Sequence, residues 1–480
     1  MRLGSRFGGN GLKRLLLYLA VAWTVLFLTI VWYVDFDPQM QPLNQISDYL
    51  MTFHAAGWIV QHGELDKLYP PHTATGFAGM PFDVIAHQLL PKMPAPSVAE
   101  FMYMPLAGAI FVPFSFLPLS FSLFAWQMLS LAAVFLSAQL MWLGLSRKGA
   151  GASKVQSGVN SINPTVEPPV EPFADQSIVQ STGQTRGTIT DWSGIFLRAT
   201  ASLFVIPVCL TIWIGQVGAV FGMLPLALGF YLLHRNRTFA AGLIWSLALL
   251  KPQFLVPVAV ISFALLLQKK YQAALGIVVG LVLIGIVNVV AFGPSLNLEW
   301  LNCLRISDMV YSDPRSGIST QIATSLPRSL ILLLPIAAHP ELKLAVYGLA
   351  GAVLLSAIGT IWMVQKRVER VVGSGDIDVV SIACLVGIFV TPLVMPHFFL
   401  YDYCLFALAL PFAFSSALPT SISMRFKQLM FGTILLVNLY SIIVMAAHKF
   451  AFPLAFMMIL FLLYCVLIRL ALDSSKQGSK

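Results

Sequence analysis

Charge is what this chain has least of. Of 480 residues only 10% are Asp, Glu, Lys or Arg, while 58% are hydrophobic; a water-soluble domain carries roughly 25% charged residues. A soluble fold is excluded, and an all-α polytopic membrane protein is implied. Cysteine is nearly absent too. Cys209, Cys303, Cys384, Cys404 and Cys465 include no CxxC pair, and four of them lie in apolar runs, where a thiol packs as a small hydrophobe. Neither a disulfide framework nor a metal site is expected. Also missing are a GxxxxGK[ST] phosphate loop, an HExxH zinc helix, a GxSxG nucleophile elbow and any large soluble segment to house a nucleotide.

Long apolar runs are abundant. The first, Leu15 to Val34, follows Arg2, Arg6, Lys13 and Arg14 and exceeds the roughly 7 to 15 residues of a cleavable signal core, with no small-residue cleavage site after it. It is expected to remain as a first span. Further candidates lie at about 120–145, 195–213, 216–233, 273–292, 342–364, 379–394, 398–414, 427–447 and 450–470. Residues 103–118, with Pro105, Pro113 and Pro118, read as short or re-entrant, and 238–268 is cut in two by Lys251-Pro252. About twelve passes result. The chain divides into 1–145 (first span, outer loop and following spans), 146–193 and 194–480 (the remaining bundle). The middle piece is a Ser-, Pro-, Gly- and Gln-rich cytoplasmic insertion expected to be disordered.

Basic residues set the sidedness. Arg147, Lys148, Arg235, Arg237, Lys269, Lys270, Lys366, Arg367, Arg370, Arg425, Lys427, Arg469 and Lys476 belong on the cytoplasmic side, together with both termini. Localisation in the cell inner (plasma) membrane follows as an expectation. The loop 35–102 is then outside, with seven acids (Asp35, Asp37, Asp48, Glu64, Asp66, Asp83, Glu100) against Lys67 and Lys92, a net charge of minus five. A second outer loop, 293–326, holds Arg305, Asp308, Asp313 and Arg315. The overall charge of +9 is topology signal, so no nucleic-acid partner is inferred.

Within the first outer loop, "ISDYLMTFHAAGWIVQHGELDKLY" (46–69) has Ser47 as an N-cap candidate, and Tyr49, Phe53, Ala56 and Val60 recur at helical spacing. An amphipathic helix lying on the membrane surface is expected, with Tyr49 and Phe53 anchoring it. Asp48 sits in its first turn, where an acid also complements the helix dipole by roughly 0.3 to 1 kcal/mol. Asp35 and Asp37 are rival acids. Lys251 is a lone cation in an apolar stretch, costing roughly 2.5 to 3.5 kcal/mol at a span centre unless compensated or snorkelled. "TPLVMPHFFLYDYCLF" (391–406) offers His397, with Asp402 as its orienting partner, among aromatics that also serve as interface anchors. In "WIGQVGAVFG" (213–222), Gln216 lies in a glycine-flanked turn.

Taken in order, Asp48-Tyr49, Phe53, Ala55-Ala56, Gly63, Leu68-Tyr69, Tyr103-x-Pro105, Pro113, Pro118, Trp126, Gly215-Gln216-Val217, Lys251-Pro252, Pro396-His397 and Asp402 make a pattern that resembles glycosyltransferase family 87. Departures are a longer segment 70–102, Gly218 where members often carry Asn, and Met395 where Ser is common before Pro-His. The resemblance implies a bundle like that of the GT-C superfamily. It further implies transfer of a hexose, typically mannose, from a polyprenyl-phosphate carrier to a glycan or glycolipid acceptor on the outer face, by inverting displacement. No cofactor is implied beyond that lipid-linked donor. The family's catalytic acid maps onto Asp48, with Lys251, His397, Asp402, Gln216, Tyr49 and Tyr103 as substrate-binding candidates. A multi-pass transporter or lipid flippase is the competing class, since a broken helix and few intramembrane charges also suit alternating access.

Overall fold

The computed structural model describes residues 9–146, 192–312, 324–334, 336, 339, 341–370, 378–414, 420–447 and 453–477. The insertion 147–191, with Arg147 and Lys148, and loop residues Asp313 and Arg315 lie outside the described residues. Every regular element among the described residues is helical. Six helices are long and apolar enough to cross a membrane: Arg14–Phe36, Leu119–Ser146, Tyr271–Tyr311, Glu341–Arg370, Met424–Ala446 and Pro453–Asp473. The pair Ser193–Phe204 and Ile206–Trp213 makes a seventh if its 85° bend is counted as one broken span.

Twelve full-length spans are therefore not found among the described residues. The expected runs 216–233, 238–268, 379–394 and 398–414 appear as shorter apolar helices: Gly218–His234, Thr238–Leu250, Pro252–Leu267, Val379–Val394 and Leu400–Ala413. At ~1.5 Å per residue, a 16-residue helix such as Val379–Val394 reaches ~24 Å, less than the ~30 Å hydrocarbon core. The breaks have local causes. Gly215 adopts φ 68°, open to glycine without strain. Lys251, before Pro252, leaves the helical region at φ −140° and ψ 82°, as the clash of a proline ring with the preceding residue's α conformation favours.

Two packed regions result. One joins the long helices to the buried Val379–Val394, with Met141 and Leu145 packed in the same core as Leu226 and Phe230; residues on both sides of the 146–193 insertion thus share one core. The other is built around the segment 46–111. Tyr49, Phe53, Ala56 and Ile59 cluster with Phe101, Phe111, Trp126, Val217 and Ile306. This corrects the expected surface helix: Tyr49 is 0% and Phe53 1% exposed, so the apolar stripe faces protein instead of lipid.

Small residues set the closest helix approach. A Cβ on Gly242 would meet the Ala273 carbonyl oxygen at 2.0 Å, and one on Gly276 the Phe239 carbonyl oxygen at 2.2 Å; such residues let membrane helices pack backbone to backbone. Gly242→Ala is expected to destabilise by about 1–3 kcal/mol, read as a lower thermal midpoint in detergent. An unchanged midpoint would show that these helices separate at no cost. The long helix Tyr271–Ser312 bends at Gly293 (φ 75°) and Pro294. Its second half walls the cavity described next.

Candidate active site

Six segments converge on a cavity of about 400 Å³, within the range of ligand pockets. Its lining includes Asp48, Thr52, Glu100, Tyr103, Gln216, Lys251, Trp300, Ser307, Tyr311, Met395, His397 and Tyr401. The polar members stand where the helices are irregular. Asp48 immediately precedes a π-helical turn, Tyr49–His54, and Gln216 lies just before another, Gly218–Met223. Lys251 separates two 3₁₀ turns, and Asp402 belongs to the 3₁₀ run Leu400–Ala409. Such departures from α geometry re-aim side chains and are frequent at functional sites.

The centre is a relay of four side chains. Gln216 donates through Nε2 to Asp48 Oδ2, and its Oε1 accepts from Lys251 Nζ at 3.1 Å. Lys251 Nζ lies 3.0 Å from Asp402 Oδ1 and 5.1 Å from the Tyr401 ring centroid. The Phe399 amide donates to Asp402 Oδ2 at 3.0 Å. Lys251 is 1% and Asp402 0% exposed, so each charge is compensated mainly by the other. The loop is fixed from behind: the Tyr49 amide donates to the Ile214 carbonyl at 3.1 Å, and Trp126 Nε1 to the Gly215 carbonyl at 2.9 Å. A side chain at Gly215 would collide with Tyr49 Cβ at 2.4 Å. Only glycine brings Gln216 this close to Asp48.

The predicted residues separate into two groups. Asp48, Gln216, Tyr103, Lys251 and His397 line one cavity, with Asp402 directly behind Lys251. Tyr49 does not line it: the ring packs against Phe111 and stacks on Trp126, and its hydroxyl shares a hydrogen bond with Ser122 at 2.8 Å. Asp402 is bound to Lys251, not to His397. The nearest acid to His397 is Asp308, at 4.0 Å, which also accepts from Lys343 at 2.6 Å and Tyr347 at 3.1 Å. The rival acids lie elsewhere, with Asp35 buried beside Gln127 and Asp37 capping the Gln39 amide.

Burial pushes the Asp48 carboxyl above the ordinary aspartate range, opposed by the hydrogen bond from Gln216 and the charge of Lys251. Burial likewise raises Glu100 to about 7 and lowers His397 to about 4, with Arg328 and Lys343 adding repulsion against its protonation and Asp308 opposing them. Arg328 and Lys343 thus bring positive charge to the His397 end of the cavity, offset in part by Asp308, which pairs with Lys343. The arrangement can take a proton at Asp48 and receive an anion at His397.

Glu100, Trp300 and Tyr311 also face the cavity without having been expected there. One signal was available: Trp300, Leu304, Ser307 and Tyr311 recur at helical spacing in "WLNCLRISDMVY" and form the lining face of that helix. Among the described residues, no three His, Cys, Asp or Glu side chains converge as metal ligands.

A family model described as glycosyltransferase family 87 matches residues 101–396, well over half of the chain. Tyr103, Gln216 and Lys251 fall inside the matched stretch, His397 and Asp402 lie just past its C-terminal end, and Asp48 lies well before its start. No curated protein and no solved structure matches the chain.

Proposed function

The chain belongs to glycosyltransferase family 87, and from that membership we propose that it moves a hexose, mannose in the first instance, from a polyprenyl-phosphate carrier to a glycan or glycolipid acceptor. As a family member it is a membrane glycosyltransferase, which argues for chemistry over the transport reading. The outer face of the cell inner membrane, with both termini cytoplasmic, is the proposed setting.

One observation carries the mechanistic reading: Asp48 stands on the cavity wall with its carboxylate held by Gln216, which is held by Lys251, the ion-pair partner of Asp402. In our reading Asp48 takes the proton of the acceptor hydroxyl as that oxygen attacks the anomeric carbon, inverting its configuration. The departing lipid phosphate is already a good leaving group. It needs positive potential rather than a proton, unlike the poor leaving groups for which glycosidases supply a second acid. His397, backed by Arg328 and Lys343, is assigned to the phosphate. Lys251 is better placed to orient Gln216, because Asp402 already balances its charge. Tyr103 is assigned to the sugar.

The direct test is purified protein in detergent with synthetic polyprenyl-phosphate mannose and an alkyl mannoside, without any ion gradient. A disaccharide product of inverted anomeric configuration is expected; no donor consumption, or retained configuration, would overturn the reading. The pH profile adds a second check. The working base is the ionised Asp48, so rate is lost as pH falls through its raised pKa, and the acid limb should lie above the ordinary aspartate value of 3.8. Gln216→Met removes a hydrogen bond that favours the ionised form. Its acid limb should move to higher pH, and a limb unmoved or shifted downward would count against this geometry.

A further inference from the structure

We propose that Glu100 and Trp300 form the acceptor subsite, and that the acceptor group they take is an uncharged pyranoside rather than a uronic acid or other anionic sugar. The proposal rests on the reading of the reaction given above and adds the substrate class on the acceptor side.

Glu100 is delivered to the cavity by the long segment 70–102. The helix Pro81–Leu89 is tied to the chain before Glu100 by Asp83, whose Oδ1 accepts from the Ala99 amide at 2.7 Å and whose Oδ2 accepts from the Gly79 amide at 2.8 Å. His87 Nε2 meets the Ser97 carbonyl at 3.0 Å. On the other side of Glu100, Tyr69 donates to the Tyr103 carbonyl at 2.6 Å. The backbone on both sides of Glu100 is thus held by side chains from elsewhere in the loop.

The carboxyl itself is half satisfied. Tyr311 donates its hydroxyl to Oε1, whereas Oε2 is enclosed with no hydrogen-bond partner among the described residues. A buried acceptor left unmatched costs about 1–3 kcal/mol, so its retention on a cavity wall calls for a donor supplied from outside. A sugar hydroxyl is such a donor. Trp300 provides the complementary surface: Nε1 is committed to the Met102 carbonyl at 3.0 Å, fixing an indole that lines the same cavity and offers the C–H face of a pyranose a flat apolar contact.

Charge sets the class. Asp48 and Glu100 stand on one cavity, close enough for the charge of Asp48 to act on Glu100, and Lys251 is balanced by Asp402. An acceptor bearing its own carboxylate would bring a third acidic group to that wall, beside Glu100 and against the ionised Asp48 that the reaction needs. The donor phosphate is assigned to the His397 end, where Arg328 and Lys343 act beside a single acid, Asp308.

The test reads binding and turnover separately. Equilibrium binding of octyl α-mannoside to the purified full-length protein is measured without donor, beside the corresponding octyl uronide. Wild type is expected to bind the mannoside at least about tenfold more tightly than the uronide. Glu100→Gln should weaken mannoside binding by about ten- to a hundredfold and narrow the gap between the two ligands. In turnover the same variant should raise the acceptor KM with the donor KM unchanged. Trp300→Ala should also weaken the mannoside while leaving the gap intact. Equal binding of the two ligands by wild type, or full mannoside affinity in a folded Glu100→Gln protein, overturns the proposal. Should Glu100→Gln not fold, the wild-type ligand pair and Trp300→Ala still decide it. Selective mannoside binding without any consumption of polyprenyl-phosphate mannose would instead overturn the donor assignment and leave this subsite standing.

Discussion

Asp48→Asn is expected to lower transfer by about 10²- to 10⁴-fold, the range that a positioned general base supplies, with the protein still inserting and folding. The substitution is nearly isosteric and keeps an oxygen for the Gln216 amide. Stability should not suffer, because the burial that raises the Asp48 pKa penalises the charge that asparagine removes. The informative measurement pairs the initial rate of product formation with a thermal midpoint on the same preparation. Near-normal turnover would take Asp48 out of the role; lost turnover with a collapsed midpoint would make it structural.

The second large effect is on the fold. Lys251→Met leaves Asp402, 0% exposed, as a buried carboxylate with its ion-pair partner gone, and breaking such a pair from one side costs about 3–5 kcal/mol. It also removes the donor that holds the Gln216 carbonyl oxygen. Poor expression and a sharply lower thermal midpoint are expected. Lys251→Met combined with Asp402→Asn should recover much of the stability, because neither charge then remains alone, but should not recover turnover, because Gln216 is no longer held. Equal midpoints for the single and double variants would mean that the 3.0 Å contact carries no coupling.

Much of this architecture is legible in the sequence because the bilayer imposes a coarse code. A run such as Leu119–Ser146 can only be a span, and Asp48, Gln216, Lys251 and His397 stand out because polar groups are costly among apolar ones. Partner choice is not legible. Asp402 is five residues from His397 in sequence, yet it turns to a lysine supplied by a different hairpin, since a fully buried carboxylate needs a full charge and a mostly neutral imidazole offers none. The Tyr49, Phe53, Ala56 stripe misleads for another reason. Helical periodicity reports that one face is apolar, not whether lipid or Phe111 and Trp126 will cover it. Span length fails at Gly215 and Lys251-Pro252, where the helices are broken and polar side chains turn into the cavity. Glu100 was hidden because its significance depends on Tyr311, more than two hundred residues later in the chain.

The pairing of Lys251 with Asp402 also sets an order of assembly. Translation delivers the cation well before its counter-ion, so the nascent chain carries an uncompensated ammonium through several subsequent membrane insertions. The front-end helices cannot lock into their final register until the 3₁₀ run starting at Leu400 arrives. A truncation that stops short of this run would leave Lys251 without its counter-ion and Gln216 held by an unbalanced cation, so the relay behind Asp48 is completed only by the last sixth of the polypeptide.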